Sequence, residues 1–176
     1  MPQAVFHIVF AIITAEIIRE FFVKKKFPLY YVFIAGIAGV LPDIDVVAFW
    51  ILYFFGFTLE SVHRTFTHTL FLPLFFIVLS LLAINLKNKK IWKRKINLSL
   101  LFFMIALGIF THLLLDVVIA GEIMPLYPFY NISYGLNLVE LLPYALSQMA
   151  LPVFDAAIFI IWLFWLEYKH KISDFV

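Results

Sequence analysis

Long apolar stretches, separated by short polar ones, dominate this chain. A helix that crosses a bilayer needs about 20 mostly apolar residues. Residues 69–86 carry no charged side chain, and residues 96–115 carry a single titratable one, His112. We therefore predict that both stretches are membrane-spanning helices.

A third stretch, residues 141–166, is apolar except for Asp155 and also predicts a spanning helix. It contains Pro143 and Pro152. Proline removes a backbone hydrogen bond and clashes with the preceding turn of a helix. We therefore expect a break or a kink at these two prolines.

Residues 4–23 predict a fourth span, with charged side chains in its second half. Glu16, Arg19 and Glu20 follow helical spacing, so Arg19 can pair with both acids on one face. We expect no cleavable signal peptide here, because no basic segment precedes the apolar run and His7 interrupts it.

The apolar stretch 29–56 is too long for one simple span, and the sequence Leu-Pro-Asp-Ile-Asp at 41–45 divides it. The residue before a proline is pushed out of the helical conformation, and Asp43 can cap a following helix. We predict a half-span helix over 29–40, a break, and a second short helix to about residue 55. Irregular backbone inside a membrane survives only when it is buried in protein or lines a cavity, so the break is itself a candidate site.

Composition and charge agree with a membrane protein. Of the 176 residues, 65% are hydrophobic and 14% are charged, whereas soluble domains have about half and about a quarter. Basic residues cluster at 24–26, 87–95 and 169–171, and such clusters face the cytoplasm. We predict an all-α, polytopic transmembrane helical bundle, with residues 1–176 forming one domain and the N-terminus outside. The basic clusters indicate cytoplasmic anchors, not nucleic-acid binding.

The predicted topology brings His and Asp residues of several segments to one depth, near the extracytoplasmic face. Asp43 lies about 15 residues past the cytoplasmic boundary, or roughly 22 Å along a helix. The chain has no cysteine, so a metal ion would be held by imidazole and carboxylate, which suits Zn, Mn or Fe. The residues at this depth are His7, Asp43, His63, His68, His112 and Asp116.

In two of these segments, the spacing of the candidate ligands along the chain predicts whether they lie on the same helix face. His112 and Asp116 are four residues apart, so they share one helix face and can approach one ion. His63 and His68 are five apart and would diverge on a continuous helix. They can act together if a helix begins between them, with Thr65 or Thr67 as its N-cap. A turn at 43–45 would let both Asp43 and Asp45 point inward.

Three sequence motifs resemble the signature of the YdjM-like family of predicted membrane-bound metal-dependent hydrolases. They are LPDID at 41–45, HRTFTH at 63–68 and GIFTHLLLD at 108–116. The family also has an early histidine, and the resemblance covers roughly residues 7–130. Mild departures from the family pattern are Thr65 for Gly, Thr69 for Ser and Thr111 for Ser.

The resemblance implies a metal site and kinship with zinc-dependent helical enzymes of the phospholipase C type. We expect a divalent cofactor, with zinc favoured, Mn or Fe as alternatives, and one to three ions. The ligands that the resemblance implies are His7, Asp43, Asp45, His63, His68, His112 and Asp116.

Two clustered ions would use this ligand set more fully than one and could activate a water and hold the oxygens of a displacement at phosphorus, so we expect hydrolysis of a phosphate ester or phosphodiester. Because the site lies within the membrane, we expect the substrate to be a lipid or a lipid-linked phosphate. Asp45 or Asp116 can act as general base, and Arg64 can hold a phosphate oxygen. Two other functions remain open. A metal transporter needs a polar route to both faces, for which Glu16 and Asp155 are the only hints, and a structural metal would fill four positions with protein ligands.

Overall fold

The computed structural model describes residues 4–23, 26–63, 65–86, 89–91 and 94–171, and these are mostly helical. The remaining described backbone consists of turns, irregular segments, one π-helical and two 3-10 segments, one short β-hairpin and one isolated bridge. The helices are α1 (Ala4–Ile17), α2 (Tyr30–Ala38), α3 (Ile44–Leu52), α4 (Leu59–Val62), α5 (Phe71–Leu82), α6 (Leu98–Val118) and α7 (Tyr144–His170).

Helix α6 lies at the centre and packs against α1, α2 and α5, while α7 packs against α1. The contact between α2 and α6 is unusually close. A Cβ atom at Gly108 would lie 2.2 Å from the carbonyl oxygen of Ala35 and 2.8 Å from the Cβ of Ala38. Small residues let helix backbones approach in this way, and Gly108 therefore sets the distance between these helices.

Two helices in the described part of the chain are long and apolar enough to cross a membrane, α6 and residues Tyr144–Lys169 of α7. They coincide with the predicted spans 96–115 and 141–166. Helix α6 begins where Asn97 accepts a hydrogen bond from the backbone of Leu100. Helix α7 begins directly after Pro143, where a break or a kink was expected, and it continues through Pro152, so Pro152 does not break the helix. A single missing backbone bond is tolerated in a long apolar helix.

The predicted span 69–86 is shorter than expected, since α5 has 12 residues, or about 18 Å. Tertiary contacts shorten it at its start, where the backbone N–H of Leu70 donates to the carbonyl of Pro125. At its other end the chain turns into an antiparallel hairpin, Lys89–Ile91 with Arg94–Ile96. The sequence predicted only a basic loop there.

The predicted break in the segment 29–56 is present, because a turn at residues 39–43 separates α2 from α3. Helix α3 continues into a 3-10 turn, Tyr53–Phe55, which ends at Gly56 with a left-handed φ of 85°. Asp43 precedes α3, but its side chain makes no capping hydrogen bond. The expected capping role of its carboxylate is therefore wrong.

The interval 4–23, predicted as a span, is helical: α1 is followed by a π-helical turn, Ile18–Phe22. Arg19 pairs with Glu20, and Lys26 and Lys169 contact the same carboxylate. The hydroxyl of Tyr30 donates to the carbonyl of Lys95. Members of all three basic clusters therefore lie at one end of the molecule.

Candidate metal centre

Four side-chain atoms from three segments meet between the helices. They are Nε2 of His68 and of His112, Oδ1 of Asp43 and Oδ2 of Asp116. The two Nε2 atoms are 3.2 Å apart. Each of them lies 3.6 Å from Asp43 Oδ1, and 3.5 Å (His68) or 3.6 Å (His112) from Asp116 Oδ2. His68, His112 and Asp116 are fully buried, whereas the side chain of Asp43 is 27% exposed.

The broken helix fixes the orientation of His112. Gly39 ends α2, so its carbonyl has no partner within that helix. It lies 2.7 Å from Nδ1 of His112, which donates to it. Because Nδ1 carries the proton, the lone pair of Nε2 is directed at the centre. The close contact at Gly108, one turn before His112, brings the two groups together.

His68 is oriented in the same way by a carboxylate. Its Nδ1 lies 3.2 Å from Oδ2 of Asp45. Asp45 also accepts hydrogen bonds from Thr67 Oγ1 and from His63 Nδ1, each at 2.8 Å. Carboxylate–histidine pairs of this kind hold metal-binding imidazoles in one tautomer. The Nε2 lone pairs of His68 and His112 therefore face each other.

A second group of possible ligands adjoins the first and contains His7. The His7 ring stacks on His112 with centroids 3.9 Å apart. Its Nε2 lies 3.6 Å from Oδ1 of Asp116, whose other oxygen faces the central group. Both ring nitrogens of His7 are buried, and neither makes a hydrogen bond within the described chain. A buried polar group without a partner is costly, and a cation between His7 Nε2 and Asp116 Oδ1 would remove that cost at Nε2.

The structure brings together all seven residues that the sequence proposed as ligands. Three sets of them, each with ligand atoms within 4.8 Å of one another, could hold a metal ion. The three sets are His7 with His112 and Asp116, Asp43 with His68 and His112, and Asp45 with His63 and His68. Arg64 lies outside the described residues.

The expected N-cap between His63 and His68 is wrong. Helix α5 begins only after Leu70, and the intervening residues form turns. The hydroxyl of Thr65 donates to the carbonyl of Val62 at 2.7 Å, and that of Thr67 donates to Asp45. The histidines converge because the chain turns between them, not because a helix starts there.

Sequence reasoning missed two groups that support the site. One is the carbonyl of Gly39, for which the sequence gives no side-chain signal. The other is Asp155 of α7, which accepts a hydrogen bond from the backbone N–H of Phe6 at 3.1 Å. Phe6 lies in the first turn of α1, where backbone N–H groups have no helical partner, and it precedes His7. A lone acid in an apolar helix was the available signal.

Together these features describe a class of protein: mostly helical, with long apolar helices and buried His/Asp groups that could hold a metal ion. The family model described as YdjM inner membrane protein matches residues 1–172, and the chain belongs to this family. The match confirms the family resemblance and identifies a membrane protein. No curated protein and no solved structure matches the chain.

Proposed function

We propose that the protein is a metal-dependent hydrolase, embedded in the membrane as a polytopic helical bundle, that cleaves a phosphate ester or phosphodiester of a lipid. One observation carries the proposal. The Nε2 atoms of two imidazoles lie 3.2 Å apart, and two carboxylates each lie 3.5 or 3.6 Å from both of them in a largely buried site. Without a cation or protons between them, these four groups would repel one another.

The spacing of His68 Nε2, His112 Nε2 and Asp43 Oδ1 supports zinc. Zinc–nitrogen bonds of about 2.0–2.1 Å in a tetrahedral shell place neighbouring ligand atoms roughly 3.4 Å apart. The three separations among these atoms run from 3.2 to 3.6 Å. Mn and Fe accept the same donors and remain alternatives to zinc.

The adjoining His7 group supports hydrolysis over a purely structural metal. Structural zinc has four protein ligands and no open position, whereas catalytic sites keep one. The set of His7, His112 and Asp116 would offer an ion three protein ligands, which leaves a fourth position open. Asp116 would then bridge two positions. Bound divalent ions supply Lewis-acid chemistry that activates water and neutralises charge on phosphoester oxygens.

The remaining residues have separate tasks in this proposal. Asp45 orients His68, and it also holds His63 at 2.8 Å. We assign to this His63–Asp45 pair the uptake of the proton that the attacking water releases. Arg64 follows His63 in the chain, and its guanidinium remains our candidate for holding a phosphate oxygen.

The position of the site supports a lipid substrate and an extracytoplasmic location. Thirteen residues of helix, or about 20 Å, separate His7 from Glu20, which lies at the end of the molecule where the basic clusters meet. Because basic clusters face the cytoplasm, the site would lie in the opposite half of the membrane. Asp43, the exposed member of the central group, is where a headgroup would enter.

The test combines metal analysis with activity. We would purify the protein, measure bound metals by mass spectrometry, and compare His68→Ala and His112→Ala with His170→Ala as the control histidine. We expect the first two variants to lose metal and the control to keep it. Phospholipids and lipid-linked phosphates would then be screened for cleavage. Full metal content in both site variants would refute the metal centre, and metal binding without cleavage of any ester would favour a transporter or a structural metal.

A further inference from the structure

A cavity of about 270 Å³ lies beside the metal centre, between α3 and the described residues of the returning segment, 57–63 and 65–67. Its volume is slightly below the range of about 300–1,000 Å³ that is usual for small-molecule sites. Helix α3 contributes Ile44, Ala48 and Leu52 to its wall. The returning segment contributes Phe57, Val62 and Phe66.

The cavity is apolar except at one end. Thr65 and Thr67 also line it, but their hydroxyls donate to the Val62 carbonyl and to Asp45. Because both hydroxyls already donate a hydrogen bond within the protein, they add little polar character to the wall. Among the lining residues that the structure describes, Asp45 is the one that carries a charge, so polarity is concentrated at that end.

The polar end is continuous with the metal centre. Asp45 contacts His68 at 3.2 Å, and Ile44 directly follows Asp43, the partly exposed member of the central group. A molecule with its phosphate near Asp43 could therefore place an attached chain along α3. The outer face of α3 is open to its surroundings, since Val47 is 61% exposed.

We propose that this cavity binds one alkyl chain of the lipid phosphoester that the centre hydrolyses. The inference rests on the proposed function for the identity of the headgroup. A bilayer is already as apolar as the cavity, so the cavity contributes little affinity. The cavity instead positions the substrate, because binding the first part of the alkyl chain fixes the phosphoester relative to the ions.

Photolabelling locates the chain without requiring turnover. The protein in lipid nanodiscs is irradiated with a dialkyl phosphate lipid that carries a diazirine in one chain, and adducts are mapped by peptide mass spectrometry. We expect adducts on Ala48, Leu52 or Phe57. Ala48→Phe fills the cavity from an exposed position, so these adducts should be lost, whereas the matched variant Val47→Phe should keep them.

Adducts spread evenly over the lipid-facing helices, or cavity adducts that persist in Ala48→Phe, would overturn the proposal. A paired activity measurement separates it from the proposed function. Ala48→Phe should slow cleavage of a long-chain lipid phosphate but not of soluble p-nitrophenyl phosphate, while Val47→Phe should affect neither. If the unmodified protein cleaves neither substrate, the hydrolase proposal fails, and the photolabelling still decides whether the cavity holds a chain.

Discussion

Replacing Gly108 by alanine tests how helix packing positions the metal ligands. The added Cβ would lie 2.2 Å from the Ala35 carbonyl oxygen and 2.9 Å from the backbone nitrogen of Gly39. Non-bonded contacts of this kind are favourable only near 3.5 Å, so α2 and α6 must separate by about 1 Å. Neighbouring backbone cannot rotate out of the way as a side chain can.

The separation acts directly on His112. Its Nδ1 now lies 2.7 Å from the Gly39 carbonyl, and an extra 1 Å gives about 3.7 Å, beyond hydrogen-bonding distance. Losing a partner that orients a metal-binding histidine costs about 10- to 100-fold in metal affinity. Overpacking itself destabilises by about 1–3 kcal/mol. We therefore expect weaker metal binding together with a lower unfolding temperature.

The assay is a chelator competition that measures metal affinity, combined with thermal unfolding followed by tryptophan fluorescence. Gly36→Ala is the matched control, because its Cβ would meet the side chain of Ile12 at 2.6 Å, and that side chain can move. The control should lose some stability but keep its metal affinity. A folded Gly108→Ala protein with unchanged metal affinity would refute the link between helix packing and the orientation of His112.

Three further predictions follow from single contacts. Asp45→Asn removes the charge that orients His68, and chelator competition should show metal affinity lowered about 10- to 100-fold; equal affinity would show that Asp45 has no orienting role. Asp155→Leu leaves the N–H of Phe6 without its acceptor and should destabilise by about 1–3 kcal/mol in denaturant unfolding, whereas Asp155→Asn keeps an acceptor and should restore most of the loss. Removing metal with a chelator should lower the unfolding temperature. Zinc at about 100 times its dissociation constant should then restore about 2.7 kcal/mol of the free energy of unfolding. An unfolding temperature that does not change when zinc is added would argue against a bound ion.

Much of the helical architecture could be predicted from apolar length, because spanning helices must satisfy their own backbone and therefore form long uninterrupted runs. Helix α6 was predicted in this way. The break was predicted at residues 41–45 from the proline there, and the turn lies at residues 39–43. Helix α5 was predicted too long at both ends, because a hydrogen bond between Leu70 and Pro125, 55 residues apart, forms where the helix starts, and a turn follows Leu82. Hydropathy cannot report such long-range contacts.

The candidate ligands were visible in the sequence because imidazoles and carboxylates are rare in apolar stretches and costly there. The separate role of each candidate ligand could not be predicted from the sequence. Thr67 looked like a helix cap, yet its hydroxyl bonds Asp45. The partner of His112 is a main-chain oxygen of Gly39, and any residue type has a main-chain carbonyl. Which carboxylate approaches the centre and which orients a histidine depends on distances of about 1 Å that only packing determines.

The turn at residues 39–43 contacts His112 with both of its ends. Gly39 supplies the oxygen that holds His112, and Asp43 supplies an oxygen to the same imidazole's other side, 3.6 Å from Nε2. Because Gly39 and Asp43 contact opposite sides of the same imidazole ring, the width of that ring fixes the number of residues between them. An insertion or deletion of one residue here would therefore misplace one end whatever the new residue was, and related chains should tolerate changes of residue type in this turn far better than changes of its length.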